Sequence, residues 1–455
     1  LMLRMSKYFG LPPMPRSYYP SNLMALNVPK RQNTAPELLT AISARNLNAP
    51  AVSQPQEESV MIPEIWQVFL QEACVADAPA RLLEFQADPT AMAEDALSDW
   101  ASKAKPGAVD AIKRELEASS KALGDMPIDE YLVMLKSDVK PTLSTKPVHE
   151  VTAPQVIVYH ERPLSAMYSS IFRVLVRRFL SLLKPNYHIN LLKDSKDIGL
   201  FIQANHPFGK EGLRYLENDF SKYDKSQSRF AFELERYIFE QLGMNLELLS
   251  RWLHGHVKCS LRSLSVGLSL EVMYQRKSGD STTAFGNVIL NSVSVTYAYR
   301  GTKVVWAVFM GDDSIVCAYR IVADGDSVQV LAEIFNLSAK NYVTDAPYFA
   351  SNFVSIDNVR QTVDMYPDVV KRIERLSMHV SADDPQWHER HTSFRDAMGV
   401  FEDDSAVQRL SALVPQRYDC SEGFVRGAVS ALGTVSRNFS AFRSLWAAEP
   451  MLLAA

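Results

Sequence analysis

The chain has 455 residues, 47% apolar and 22% charged, with a net charge of −4. Such a composition is globular, long enough for a large core and several subdomains. It excludes a chain that is basic throughout, so any grip on phosphates has to come from local clusters of Lys and Arg. Cys74, Cys259, Cys317 and Cys420 stand apart without metal-ligand spacing, as expected of free thiols in a reducing compartment. No uninterrupted apolar run is long enough to span a bilayer, and the start does not read as a signal peptide. The opening LMLRMSKYFG, with Leu first, is expected for a piece of a longer polyprotein or for a cut boundary.

Residues 1–60 are rich in Pro, Asn and Ser and read as loops, as in GLPPMPRSYYPSN. From Val60 to about Leu123 the pattern turns helical, through IPEIWQVFLQEA, ADPTAMAEDALSDWASKAK and AVDAIKRELEASSKAL. YLVMLKSDVKPTLSTKP carries Lys136, Lys140 and Lys146 between proline breaks, and QVIVYH then predicts a short strand. SAMYSSIFRVLVRRFLSLLK predicts a core helix whose edge, Arg173, Arg177 and Arg178, is solvated; a basic amphipathic helix on a membrane surface is the rival reading. A strand ending near Phe220, a turn and a helix from about Ser226 follow. LSLEVMYQRKSGDSTTAFGNVILNSVSVTYAY predicts a strand, a loop at Ser278–Gly279 and a long helix. WAVFMGDDSIVCAY reads as a hairpin, and the chain beyond about residue 360 as mostly helical, with Trp387 and Trp446 in its core. The histidines of WLHGHVKC and WHERH complete no zinc pattern. Lys222 and Lys225 fit a solvated turn, and the Tyr and Phe residues of 342–353 fit the core.

Three constellations carry chemistry. Asp312 and Asp313 sit side by side at the hairpin tip, although adjacent carboxylates repel and a tight turn needs only one of them. Asp219 ends a strand, and Asp224 follows five positions later, at or just before a helix. Strand-end carboxylates brought together make a hard, oxygen-rich site suited to Mg²⁺. Two such ions clamp the attacking and leaving oxygens of phosphoryl transfer. Either motif alone also fits an ordinary turn. The third is SG-x3-T-x3-N, formed by Ser278, Gly279, Thr283 and Asn287. On a helix Thr283 and Asn287 share one face, where a hydroxyl and an amide can read a ribose hydroxyl. A loop and helix with incidental polar positions fit the same letters.

The order of the three resembles the viral RNA-dependent RNA polymerases of the alphavirus-like supergroup, which includes alphaviruses and tobamovirus-like plant viruses. DFSKYDKSQ resembles their first palm motif, QRKSGDSTTAFGN the second, MGDDSIV the third, EIFNLSAKNY the fourth and PYFASNFVSIDNV the β-segment after it. The segment MLKSDVKPTLSTKP…QVIVYHERPLSAMYSSIFR is similar to their basic fingers region, and PKRQNTAPEL to a template-side segment. The resemblance covers about residues 128–380, with a weaker patch near 30–38. Ser338 stands where many relatives carry an acid, and Ala350–Ser351 where a Cys-Gly pair is common.

The resemblance implies an α+β right-hand polymerase. Residues 1–130 would be an N-terminal extension with the index-finger region, 131–215 fingers with the basic triphosphate and template segment, 216–354 palm with part of the fingers interleaved, and 355–455 a helical thumb. Asp219 and Asp312 are the expected principal metal ligands, with Asp313 supporting and Mg²⁺ or Mn²⁺ as cofactor. Lys340 is the expected proton donor to the pyrophosphate leaving group. Asp224 and Asn287, with Ser278, Gly279 and Thr283 near them, are the expected ribonucleotide selectors. Arg162 and Lys140, then Lys136, are the expected triphosphate and template contacts. The expected partners are RNA template and primer, nucleoside triphosphates, and helicase and capping subunits of a replicase. The expected setting is host cytoplasm, in replication complexes whose membrane association is indirect. The alternatives are a non-catalytic RNA-binding scaffold and a template-independent terminal nucleotidyltransferase.

Overall fold

The two strands of the Gly-Asp-Asp hairpin, Val304–Met310 and Asp313–Tyr319, alternate between two apolar environments. Ala307, Phe309, Val316 and Ala318 face the largest core cluster, whereas Trp306, Val308, Ile315 and Cys317 face another. Side chains of a strand point alternately to opposite faces, so a sheet covered on both sides needs apolar residues at nearly every position. That is why the sequence shows continuous apolar runs here. The structure, a computed structural model, describes residues 3–5, 17–23, 34–44, 58–90, 94–105, 107–118, 123–136, 154–191, 195–321, 325–399 and 404–452.

The hairpin lies inside a five-stranded sheet with the order Ala339–Thr344, Leu213–Phe220, Asp313–Tyr319, Val304–Met310, Tyr187–Ile189. Its pairings are antiparallel except the last. The helix Thr283–Ala298 covers one face and is buried on every side from Val288 to Ala298. Most of its side chains are apolar or small, as befits an interior helix, and it packs against the helices Glu58–Ala73 and Arg229–Gln241. The helix Ser195–Asn205 lies on the other face.

A second five-stranded sheet has the order Leu3–Met5, Leu268–Val272, Cys259–Ser263, Glu130–Leu135, Val156–Tyr159. Its last strand runs beside the Ser278–Gly279 turn. A three-stranded sheet, Tyr348–Phe349, Asn352–Asp357 and Thr362–Pro367, leads to the helices Val369–Leu376, Trp387–Met398, Asp404–Arg417 and Glu422–Arg437. Trp446 is buried among them, with Trp387 packed at the edge of the same cluster. Ser17–Tyr19 pairs with Val380–Ser381 and Met451–Leu452, tying the N-terminal segment to this C-terminal part.

The α+β class expected from the sequence is therefore present. Several local readings change. Within residues 1–60, expected as loops, Ser17–Tyr19 is a strand and Ala35–Ile42 a helix, because each finds apolar cover elsewhere in the chain. Thr362–Pro367 is a strand where helix was expected, because its alternating Val363 and Met365 cover the Ser195–Asn205 side of the central sheet. The basic edge of the helix Arg162–Leu182 is not solvated throughout. Arg178 donates to the carbonyls of Leu242 (2.9 Å) and Asp88 (2.7 Å), and Arg173 and Arg177 approach Asp99 at 3.5 and 3.4 Å. These cations join helices far apart in the sequence, a use that periodicity does not reveal.

Asp368 holds the C-terminal helices to the rest. It caps Val369–Leu376 by accepting from Val370 N (3.0 Å) and Lys371 N (3.3 Å), and its Oδ2 accepts from Tyr348 (2.7 Å) and Tyr418 (2.6 Å). Asp368→Ala removes a cap worth about 1 kcal/mol and leaves the buried Tyr348 hydroxyl unpaired at about 1–3 kcal/mol, with a smaller loss at the half-buried Tyr418. Amide hydrogen exchange across 369–437 should accelerate at least tenfold while the central sheet keeps its protection. Unchanged exchange in those helices would contradict this role.

Candidate active site

Met310 and Asp313 pair across the hairpin, leaving Gly311 and Asp312 as a two-residue turn. Gly311 takes φ +59°, which glycine adopts without the strain a side chain brings. Asn291, wholly buried on the helix Thr283–Ala298, donates its Nδ2 to Gly311 O (3.1 Å) and Asp313 O (3.0 Å). The turn is thus pinned from beneath.

Ser314 pairs with Asn218, whose Nδ2 donates to Ser314 Oγ at 2.9 Å. One further antiparallel step sets Asp313 beside Asp219. On the other side of Asp219, Lys340 stands directly opposite it. Three carboxylates and one lysine therefore share one end of the sheet. Burial, then the charges of Asp312 and Asp219, push the Asp313 carboxyl up to about 6, while Lys371 and Arg417 pull it down.

Among the described residues no three acidic, His or Cys side chains are arranged to hold a metal ion by themselves. The donors still suit Mg²⁺. All are hard carboxylate oxygens, and after burial the neighbouring charges of Asp312 and Asp219 raise Asp313, a repulsion that a cation would relieve. Mg²⁺ commonly takes one or two carboxylates and completes its shell with water and substrate phosphates.

Two clefts meet at these acids. One, about 630 Å³, is lined by Asp219, Asp313, Tyr342, Lys371 and Arg417 among others. The second, about 500 Å³, is lined by Asp312, Asp224, Asn287, Ser278, Lys136 and Lys222 among others. The hairpin tip is the wall between them.

Asn287 Nδ2 donates to Asp224 Oδ1 at 2.9 Å, so the structure brings together the two residues that the family resemblance pairs. Thr283 begins the helix but turns its hydroxyl back to Lys277 O (2.6 Å). Ser278 Oγ donates to Val156 O (3.0 Å), and Gly279 N to Val158 O (2.8 Å). A Cβ on Gly279 would lie about 3.0 Å from Ile157 and Tyr159, so only glycine lets the turn lie this close to the strand. The Ser-Gly pair clips the second cleft's floor to the second sheet.

The profile of a family described as RNA dependent RNA polymerase matches residues 1–445. The chain belongs to the RNA-dependent RNA polymerase family. It is 30% identical to replicase polyprotein 1ab of Grapevine leafroll-associated virus 3, over 93% of this chain and 15% of that protein. It is 29% identical to the replicase large subunit of Sunn-hemp mosaic virus, over 85% of this chain and 23% of the relative. It is 26% identical to RNA-directed RNA polymerase 2a of Cowpea chlorotic mottle virus, over 96% of this chain and 52% of the relative. The chain therefore spans at most about half the length of these relatives. The family resemblance drawn from the motifs is borne out.

The remaining expected contacts are placed unevenly. Lys136 lines the second cleft, and Lys140 and Lys146 fall outside the described residues. Arg162 is exposed and paired with Glu115 at 2.5 Å, away from both clefts. Lys340 is exposed on its edge strand. Lys225 is buried rather than solvated, because it donates to Ala44 O (2.9 Å). Tyr342 is exposed at the rim of the first cleft, unlike the buried Tyr348, Phe349 and Phe353. Sequence reasoning missed Asn291, Lys371 and Arg417. The last two come from helices with no motif, and Asn291 sits one turn beyond Asn287, the only signal it offers. No described helix is long and apolar enough to cross a membrane.

Behind the Ser-Gly turn Asp280 is sealed from solvent, 3.3 Å from His160 Nδ1 and 3.4 Å from His256 Nε2. It also accepts from Thr282 Oγ1 at 2.7 Å. Burial, opposed by the hydrogen bond to Asp280, pushes the His256 imidazole down to about 4, and Lys277 adds to the depression. The unfolded chain would take up this proton near 6.5, before the folded protein does. The contribution of His256 to stability is therefore complete above that value and lost as pH falls toward about 4. Asp313, raised in the fold, acts in the opposite direction. His256→Gln keeps an N–H for Asp280 and does not titrate. The unfolding midpoint of the parent should drop more between pH 7 and pH 5 than that of His256→Gln; equal drops would refute the assignment.

Proposed function

We propose that this chain copies RNA, transferring a nucleotidyl group to an RNA 3′-hydroxyl under the direction of a template and so replicating and transcribing a positive-strand RNA genome. One observation carries the mechanism: Asp219, Asp312 and Asp313 stand at the wall between two clefts, with Lys340 opposite Asp219 and the Asp224–Asn287 pair across the wall. In this reading residues 216–354, which supply most of the central sheet, are the palm with part of the fingers interleaved, residues 131–215 and the N-terminal region are the fingers, and residues 355–455 are the thumb.

The second cleft receives the incoming nucleotide, with Lys136 and Lys222 drawing the triphosphate and Asp224–Asn287 at its ribose. The first cleft receives the primer end, where Lys371 and Arg417 face phosphates and Tyr342 offers a stacking ring. Asp219 and Asp312, supported by Asp313, would hold Mg²⁺ or Mn²⁺, which supplies charge to the reacting phosphoryl oxygens and activates the 3′-hydroxyl. Lys340 Nζ carries the proton that the departing pyrophosphate needs. Asp224 and Asn287 orient the sugar through its 2′-hydroxyl, and a deoxynucleotide leaves that polar site unpaired. RNA template and primer, nucleoside triphosphates, and helicase and capping subunits complete the set of partners. The setting is the host cytoplasm, with membranes reached through other replicase parts.

Asp312→Asn removes ligand charge with little change in shape. It should abolish primer extension while leaving the unfolding midpoint close to that of the parent. Near-normal extension at low Mg²⁺ would sink the reading, and extension that ignores the template would favour a terminal transferase. A non-catalytic scaffold would bind RNA without any incorporation.

Positioned general acids contribute on the order of a hundredfold or more in rate. Lys340→Leu should therefore slow single-nucleotide incorporation by about that factor with modest change in nucleotide affinity. A loss of affinity with an unaltered chemical step would reassign Lys340 to binding.

A further inference from the structure

Along the floor of the second cleft, four polar side chains form a chain of hydrogen bonds with a direction. Arg276 Nε donates to Gln227 Oε1 at 2.8 Å, Gln227 Nε2 donates to Asn287 Oδ1 at 2.8 Å, and Asn287 Nδ2 donates to Asp224 Oδ1 at 2.9 Å. Amide oxygen and nitrogen are alike in shape, so an isolated Asn or Gln has two equivalent orientations. Here both ends remove the choice. A guanidinium only donates and a carboxylate only accepts. Gln227 must turn its oxygen to Arg276 and its NH₂ to Asn287. Asn287 must then turn its oxygen to Gln227 and its NH₂ to Asp224.

The donor end is firmly anchored. Arg276 is fully buried against an equally buried Glu235, and it also reaches Thr282 Oγ1 at 3.3 Å. Its backbone N donates to Asp224 O at 3.1 Å, closing a ring around the pair. The helix Thr283–Ala298 approaches this ion pair so closely that a Cβ on Gly286 would lie 2.6 Å from Glu235 Oε1 and 2.7 Å from the guanidinium. Gln227 is wholly buried and lines neither cleft, whereas Asn287 and Asp224 line the second.

The geometry points to Gln227 as a positioning residue for sugar selection: by fixing which way the Asn287 amide faces, it keeps the Asp224–Asn287 pair set for the ribose of the incoming nucleotide. This rests on the reading of Asp224 and Asn287 as the ribose contact. Gln227 touches no substrate and acts through Asn287 alone. Two consequences separate it from a merely structural residue. Its loss should fall on the ribonucleotide rather than on both sugars, and it should have no effect once Asn287 is gone.

Gln227→Glu is nearly isosteric and tests this directly. Glu still accepts from Arg276 but has no N–H for Asn287 Oδ1, so two acceptors oppose and the Asn287 amide is driven over toward the wrong face. The measurement is kcat/KM for single incorporation of a ribonucleotide and of its 2′-deoxy analogue, on one RNA template and primer. Parent, Gln227→Glu, Asn287→Ala and the double variant are compared. The ribonucleotide preference should fall roughly tenfold to a hundredfold in Gln227→Glu, the range expected for one mispaired buried hydrogen bond. Deoxynucleotide incorporation should stay close to the parent's, and the double variant should match Asn287→Ala. Gln227→Met, uncharged and of similar length, should give the same loss of preference if Gln227→Glu does not fold. Equal losses for both sugars would overturn the proposal in favour of structural support. A parental preference in both Gln227 variants beside a reduced one in Asn287→Ala would overturn the relay and leave the ribose reading standing. A parental preference in Asn287→Ala would overturn both.

Discussion

Asp219, Asp312 and Asp313 crowd one end of a sheet that is apolar on both faces. Desolvation and mutual repulsion lift the Asp313 carboxyl to about 6 against the pull of Lys371 and Arg417, so acidic groups are crowded where the two clefts meet. Much of the surrounding structure serves to keep those groups together. The sheet register sets Asp219 between Lys340 and the hairpin. Asn291 pins both sides of the turn, and the buried helix that carries it is held by packing on every side. A rigid apolar scaffold holds electrostatically unfavourable groups in place, which is how strain at a site of chemistry commonly persists.

The polar groups behind the acids follow a different rule from those in front. Those facing the clefts, such as Lys136, Lys222 and Lys371, line open space at the acids. Those behind, Glu235, Asp280 and His256, are sealed, Glu235 against Arg276 at the cleft's lining and Asp280 against His256. Buried charge without a partner is costly, and paired charge holds geometry. The second cleft is thus floored by two fixed networks, one around Asp280 and one around Arg276, joined by Thr282, which meets both.

The acid-bearing hairpin was legible because its strands are buried on both faces and write uninterrupted apolar runs around Gly-Asp-Asp. The helix after Ser278–Gly279 was legible for a similar reason. Its partner Asp224 could be paired with Asn287 only through the family resemblance, since spacing places Asn287 on a helix and says nothing of what faces it. Three features were not legible. Asn291 binds backbone carbonyls, which any sequence supplies, so it leaves no motif. Arg178 looked like a surface charge because its acceptors are carbonyls near residues 88 and 242. Lys225 looked like a turn residue because the carbonyl that buries it belongs to Ala44, in a segment with no pattern.

One helix touches both halves of the site. Asn287 meets Asp224 at the nucleotide side, and Asn291, one turn further along, meets the hairpin carbonyls at the acid side. An α-helix advances about 1.5 Å and turns about 100° per residue. The helix is therefore a ruler with two marks on one edge, and the interval between them cannot drift. A single residue inserted between the marks would swing one of them about a quarter-turn away from its target. Sequences descended from such a chain can exchange many of the letters between Asn287 and Asn291, but not their number.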